Sequence, residues 1–305
     1  MSEHYPKFRL HAPDGRLALR EGLVLAFFMK HSHAEIAGAV TRVLERYCEA
    51  VGRDKLVLSQ GVEGEWRRLN ELGWKQVRQE LLGDLEAPNT WLHLVDRADE
   101  VVDYAVLYHG YQLDAPLNHD KPHLASGLSL WLPTEELEKH GPGWVRQMAV
   151  DMARELPLSS GYASLVFQHL GAPLLEQSFL ELSRRHPGID FLEILSTTWS
   201  VGTRARGAYW LNFYGPPLLK QLGAAEGLRE RLTRPGVEVE ELESGRKVLV
   251  SLGEWPEAGD EDTGKDMSAY RELARVLEPH LDDAPWRWPD FWPPDHVQWM
   301  RRFLD

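Results

Sequence analysis

The alternation of hydrophobic and polar positions predicts strands and helices in turn along the chain. Residues 23–29 (LVLAFFM) form a continuous apolar run of strand length, which is typical of a central strand covered on both faces. Apolar residues then recur at helical spacing, with Ser32 and Glu35 in the positions of a capping box and Gly52 as a stop. The pattern therefore predicts a buried strand that leads directly into a helix.

Similar patterns predict further elements. Helices are predicted over residues 70–82, 134–140, 144–154, 217–222, 228–232 and 270–281, and in the first of these Leu72, Val77 and Leu81 are expected to face inward. Strands are predicted within residues 99–111 and at residues 128–132, 164–168 and 208–214, with a hairpin of residues 237–243 and 247–252 closed near Ser244 and Gly245.

Together these elements predict an α+β fold with mixed or antiparallel sheets covered by helices. Residues 1–305 are interpreted as one domain, within which strand–helix–strand units leave open two similar α+β halves at about residues 20–155 and 156–305. The aromatic residues of the C-terminal region are expected to fold back and plug the core; they are Trp286, Trp288, Phe291, Trp292, Trp299 and Phe303.

Composition and charge narrow the range of possible functions. The net charge of −13 argues against binding nucleic acid or an anionic membrane and suits encounter with a basic protein partner. A single cysteine, Cys48, excludes an intrachain disulfide, and a buried apolar role is expected for it. No secretory signal or membrane-length apolar run is recognisable, so we expect a cytoplasmic protein.

Two motifs are candidate sites of chemistry. His31 and His33 follow the apolar strand, as metal ligands do in barrel hydrolases, but the additional ligands such a site needs are not evident, and two exposed imidazoles at a helix N-terminus are favoured. Residues 259–266 (GDEDTGKD) match a phosphate-binding loop except at Asp266, where Ser or Thr should stand, and their acids oppose phosphate binding. We therefore predict no catalytic residues, no metal site and no cofactor.

Carboxylates are concentrated in two stretches of the sequence. The first runs from residue 238 to residue 266 and includes Glu257, Asp260, Glu261, Asp262 and Asp266; the second runs from residue 84 to residue 103. If they converge in the fold, they form a negative patch; the alternative is two separate solvated faces. Arg204, Arg206 and Tyr209 are considered as interface residues, although a structural role beside a strand is favoured.

Several segments, in their order and spacing, resemble the type VI immunity family, the TsiV-like proteins formerly known as a domain of unknown function. They are LSLWLPTEELEKH at 128–140, LSSGYASLVF at 158–167, GTRARGAYWLNFYGPP at 202–217, EWPEAG at 254–259, AYRELARVLEP at 269–279 and WMRRFLD at 299–305. The resemblance runs from about Leu23 to the end of the chain.

The resemblance implies a cytoplasmic antidote that binds and neutralises a cognate type VI effector toxin, which in this family is best attested as a nuclease. It implies no catalytic residues, no cofactor and no small-molecule substrate. With the acidic surface, it leads to the hypothesis that Glu257, Asp260, Glu261, Asp262 and Asp266 contact the toxin and help to occlude its active site. Two alternatives stay open: a metal-dependent hydrolase using His31 and His33, and a scaffold protein of the secretion system.

Overall fold

The apolar run after residue 22 forms part of a long strand at the centre of the protein. The computed structural model describes residues 4–61, 63–169, 176–282 and 296–304. The strands are β1 (Arg9–His11), β2 (Leu17–Met29), β3 (Leu58–Gln60), β4 (Trp66–Arg68), β5 (Asn89–Val95), β6 (Ala105–Tyr111), β7 (Ser126–Pro133), β8 (Ser160–His169), β9 (Leu211–Tyr214), β10 (Glu238–Leu242) and β11 (Lys247–Ser251).

Helices occupy several of the connections between these strands and also follow β11. They are α1 (His33–Val51), α2 (Glu71–Leu82), α3 (Thr134–His140), α4 (Pro142–Glu155), α5 (Glu176–Arg185), α6 (Ile194–Ser200), α7 (Leu218–Gln221), α8 (Ala224–Arg231), α9 (Ser268–Leu277) and α10 (His296–Met300). Short 3₁₀ turns follow α1 at Arg53–Lys55 and α9 at Glu278–His280.

The described strands form one 11-stranded sheet with the order β10-β11-β9-β8-β2-β7-β6-β5-β3-β4, and β1 pairs with β2. Each strand pairing is antiparallel, which confirms the predicted α+β class. β2 pairs with β8 on one side, from Leu19↔His169 to Phe28↔Ser160, and with β7 on the other. The strand order differs on the two sides of this central pair, and the division into two similar halves stays a prediction.

Both faces of the central strands are buried because side chains of successive residues point to opposite faces. On one face Leu23, Leu25 and Phe27 belong to the same core cluster as residues of α1, α2 and α4, including Ile36 and Val77. On the other face, Val24, Ala26 and Phe28 pack against the region of α6. Next to them on this second face, β9 and β11 are covered by α7, α8 and α9.

Local sequence signals account for several element boundaries. The backbone N–H of Ser32 donates to Glu35 Oε2 over 2.8 Å, as a capping box requires, and α1 ends at Gly52, whose φ is +96°. Leu72 is 63 % exposed, so its predicted inward position was wrong. Five residues of helix rotate a side chain by about 140°, which carries Leu72 away from the buried stripe of Val77 and Leu81.

The predicted aromatic plug is confirmed in part. Trp299 is 8 % exposed and Phe303 is 2 % exposed, and both pack in core clusters. The Arg302 guanidinium lies 4.4 Å from the Trp299 ring and 4.9 Å from the Phe303 ring, and its Nε donates to the carbonyl of Pro187 over 2.7 Å. The other aromatic residues named from the sequence, at 286, 288, 291 and 292, lie outside the described residues.

Candidate functional site

The carboxylates predicted to contact a partner lie in one loop, residues 257–266, between β11 and α9, called here the acidic loop. Its backbone is folded on itself, since the N–H groups of Thr263 and Lys265 both donate to the carbonyl of Asp260, over 3.2 and 3.1 Å. Asp266 accepts from the backbone N–H and the hydroxyl of Ser268, and this lowers the pKa of the Asp266 carboxyl. Sequence contiguity therefore brings all five acids into one structural unit.

Basic side chains from other elements reach into this loop. Arg185, the last residue of α5, donates to both carboxylate oxygens of Asp260 over 3.1 and 3.0 Å and lies 3.0 Å from Asp262. The hydrogen bond from Arg185 lowers the pKa of Asp260. Glu257 lies 3.2 Å from Lys265, and Glu261 lies 3.6 Å from Arg271. These pairs lie at or near the surface, so the loop is a partly compensated acidic surface.

The second acidic stretch has a different set of basic partners. Asp103 pairs with Arg20, and the Arg97 guanidinium lies 2.7 Å from Asp96 and 2.6 Å from Asp103. Arg20 is 5 % exposed and continues this network to Glu135 at the start of α3. Each stretch is therefore held by its own cations, Arg185 in one and Arg20 with Arg97 in the other.

His33 is a core residue, so the prediction that its imidazole is exposed was wrong. It is fully buried, with Nδ1 2.9 Å from the Tyr108 hydroxyl and Nε2 3.0 Å from the carbonyl of Leu81. Burial lowers the pKa of His33, so the ring is neutral near pH 7. Both ring nitrogens thus have protein partners. The hydrolase alternative, in contrast, requires a ring nitrogen that is open to a metal ion. Within the described ranges, no group of three or more His, Cys, Asp or Glu side chains could hold a metal ion.

Cys48 is buried on the inner side of α1, as expected, with 8 % of its surface exposed. Burial raises the pKa of the Cys48 thiol to about 11. The thiol is therefore protonated at neutral pH, and this environment is the opposite of the one that activates a nucleophilic cysteine.

An aromatic surface that the sequence patterns did not reveal lies on the sheet at β4, β5 and β6. The Trp66 and His93 rings are 5.3 Å apart, and the Trp91 ring lies 6.3 Å from both His93 and His109. Trp66 is 37 % exposed. We call Trp66, Trp91, His93 and His109 the aromatic sheet face. Its signal in the sequence is the alternation of residues 89–95 (NTWLHLV), which is typical of a half-buried strand.

Most of the chain matches one known protein family. The model of the family TsiV, described as type VI immunity for VRR-NUC, matches residues 39–303. This chain belongs to the TsiV family. The match spans the acidic loop, the aromatic sheet face and the strands from β3 to β11, and it confirms the resemblance drawn from the sequence segments. Membership of the TsiV family implies a type VI immunity protein whose partner is a VRR-NUC effector.

A structural likeness supports the fold of this TsiV family member. The Pseudomonas aeruginosa T6SS protein PA0821 superposes with a TM-score of 0.77 and 16% sequence identity, over 99% of this chain and 88% of that protein. A search of curated protein sequences finds no match to the chain. No helix in the described part of this TsiV protein is long and apolar enough to span a membrane.

Proposed function

We propose that this protein neutralises a VRR-NUC effector nuclease in the cytoplasm by binding it and occluding its active site, without catalysis of its own. The observation that carries the proposal is the TsiV family match over residues 39–303. A nuclease needs a cationic surface to hold the phosphate backbone of its substrate. An acidic antidote is electrostatically complementary to such a surface, and its net charge here is −13.

Within this proposal, the acidic loop is the surface that approaches the nuclease cleft. Its carboxylates outnumber the cations that contact them, and the side chains of Glu261 and Asp262 are 53% and 66% exposed. Such exposed ion pairs are weak, commonly below about 1 kcal/mol, so Arg185 and Arg271 can give up these acids to cations of a partner. Glu257, Asp260 and Asp266 shape the loop through their internal contacts and add to its field.

The test is the association rate of the purified chain with a catalytically inactivated VRR-NUC effector. The double variant Glu261→Gln with Asp262→Asn removes two exposed charges and leaves the loop-shaping contacts of Asp260 and Asp266 in place. We expect the association rate constant to fall roughly threefold at low salt, and its dependence on salt to become weaker, because steering by charge is lost.

A matched control removes the same charge elsewhere. The variant Asp84→Asn with Glu86→Gln neutralises two exposed acids of the second stretch, after α2. It should leave the association rate within about 1.5-fold of the wild type, because steering acts near the contact surface. Equal effects of both variants would refute the role of the acidic loop. Failure of the unaltered chain to bind the inactivated effector, or to inhibit the active one, would refute the proposed function. Capture of secretion-apparatus components in its place would favour the scaffold alternative.

A further inference from the structure

Main-chain hydrogen bonds join the acidic loop to residues 185–188 at the end of α5, called here the supporting segment. The backbone N–H of Gly188 donates to the carbonyl of Ala258 over 2.8 Å, and that of Glu261 donates to the carbonyl of Arg185 over 3.0 Å. These bonds use backbone atoms of the loop and none of its carboxylates. They therefore fix the path of the loop and leave its acids available to a partner.

A buried histidine adds a side-chain contact at the same place. His186 is 5 % exposed, and its Nδ1 lies 2.7 Å from the carbonyl oxygen of Gly259, a buried residue of the acidic loop. Because a carbonyl oxygen can only accept, Nδ1 carries the proton and donates it. Without this donor a buried carbonyl of the loop would lose a hydrogen bond, which weakens the contact between the loop and the supporting segment.

Gly188 allows the two backbones to approach closely. A Cβ atom at this position would lie 2.0 Å from the carbonyl oxygen of Glu257 and 2.9 Å from the carbonyl carbon and oxygen of Ala258. These are main-chain atoms, so no rotation of a side chain can relieve the overlap. Only glycine fits here, and any side chain would push the acidic loop away from the supporting segment.

The supporting segment is itself anchored to the C-terminal region and to the sheet. Arg302 Nε donates to the carbonyl of Pro187 over 2.7 Å, and the Arg302 side chain is 7% exposed. Just after the segment, the N–H of Asp190 donates to the carbonyl of Leu165 in β8 over 2.8 Å, and the N–H of Phe167 donates to the carbonyl of Asp190 over 3.0 Å. The acidic loop is therefore connected through this segment to the centre of the fold.

The loop needs this support because it concentrates like charges. Its carboxylates repel one another, and an unsupported loop would adopt many conformations that a partner would have to exclude on binding. We propose that Gly188 and His186 are positioning residues that hold the acidic loop in the conformation bound by the VRR-NUC effector. The inference rests on the proposed function and adds that the contact surface is preorganised, which raises affinity because less ordering accompanies binding.

Hydrogen–deuterium exchange of the free chain, followed by mass spectrometry, tests the support of the loop. Gly188→Ala inserts a methyl group between the two backbones, and exchange in peptides covering residues 257–266 should become at least about tenfold faster. Gly143→Ala is the matched control, because a Cβ atom at this exposed position of α4 meets no atom within 4 Å. It should leave exchange in the acidic loop within about twofold of the wild type.

A second pair of variants separates the hydrogen bond of His186 from the packing of its ring. His186→Leu removes the donor, and exchange in the acidic loop should again become about tenfold faster. His186→Asn places an amide N–H close to the position of Nδ1 and should restore exchange to within about threefold of the wild type. This pair keeps the proposal testable if Gly188→Ala does not fold. Equal acceleration of the loop and of β2 would overturn the positioning role, since these contacts would then stabilise the whole fold.

Calorimetry with the inactivated effector then measures binding by the same proteins. The dissociation constant should rise about tenfold in Gly188→Ala and in His186→Leu, because the effector must order the loop. The salt dependence of the association rate should stay that of the wild type, because these variants keep every carboxylate.

The outcomes separate this inference from the proposed function. Wild-type affinity in variants whose acidic loop exchanges faster would overturn the inference alone, as would unchanged exchange in both Gly188→Ala and His186→Leu. Absence of any complex with the wild-type chain would overturn the proposed function and the inference together.

Discussion

Asp190 lies at the centre of a buried polar cluster that includes Tyr162, Tyr209 and Arg206. Its carboxylate is fully buried, and the hydroxyls of Tyr162 and Tyr209 donate to it over 2.6 and 3.2 Å. Burial raises the pKa of both tyrosines, so their hydroxyls remain protonated and able to donate. The buried Arg206 guanidinium lies 3.7 Å from the same carboxylate. A charge at this depth is stable only because these partners surround it.

Replacing Asp190 by Asn should therefore destabilise the fold strongly. The substitution conserves shape but leaves Arg206 buried without its counter-charge, and breaking such a pair costs about 3–5 kcal/mol. Urea unfolding monitored by circular dichroism gives the free energy of unfolding. Tyr162→Phe, which removes one hydrogen bond and keeps the ring, is the control and should cost about 1–2 kcal/mol. A loss below about 1 kcal/mol in the Asn variant would contradict this account.

The same cluster shows what residue patterns can and cannot predict. The sequence favours a structural role for Arg206 and Tyr209 beside a strand, and their exposures of 2 % and 1 % confirm this role. Their partner was not predictable, because Asp190 is reached only when the segment after α5 folds across β8, where Asp190 forms a parallel bridge with Val166. Spacing along the chain contains no information on that crossing.

At the scale of single elements, a side-chain cap stabilises the N-terminus of α2. The Asn70 side-chain oxygen accepts from the backbone N–H of Gly73 over 3.0 Å and so satisfies one of the free donors at the start of the helix. Asn70→Ala should lower the free energy of unfolding by about 1 kcal/mol, whereas Asn70→Asp, which also accepts this bond, should change it by less than about 0.5 kcal/mol. Urea unfolding measures both, and equal losses in the two variants would show that the cap does not contribute.

Elements whose signals lie in their own residues were predictable from the sequence. Elements that depend on neighbouring strands were missed. The β10–β11 hairpin follows from its turn, where Glu243, Ser244 and Gly245 all have φ between +51° and +81°. In contrast β3 and β4 are three residues each, too short for any alternation to be recognised, and they are strands only because β5 lies beside β3. Neighbouring strands, which sequence patterns do not reveal, therefore determine the outer part of this sheet.

At the scale of the whole molecule, the candidate site was predictable in one respect and unpredictable in another. The carboxylates of the acidic loop are contiguous in sequence, so any fold keeps them together. Arg185, which contacts two of them, comes from α5, 75 residues before Asp260. Only the tertiary structure shows which cations compensate the charge of the acidic loop. It also shows that Glu261 and Asp262 are its exposed carboxylates, at which the charge can be tested.

Fully or partly buried histidines make the stability of the whole molecule depend on pH. Burial lowers the pKa of His93 to about 4 and that of His169 to about 4, and it also lowers the pKa of His33 and His109. In the unfolded chain an ordinary histidine titrates near 6.5, so below that pH the unfolded state binds more protons than the folded state. The free energy of unfolding should therefore be fully maintained above about pH 7 and should fall as the pH drops from 6.5 toward 4.

His93 tests this dependence. Its Nδ1 lies 3.0 Å from Gln60 Oε1, and Gln in its place can keep a hydrogen bond without titrating. Between pH 7 and pH 5, where few carboxylates change charge, His93 alone should account for a loss of about 2 kcal/mol in the free energy of unfolding. His93→Gln should reduce the total loss over this range by about that amount. Urea unfolding of both proteins at the two pH values measures the difference. Equal losses in the two proteins would mean that His93 takes up its proton in the folded state near its ordinary pKa, and that the half-covered aromatic sheet face admits water to the ring.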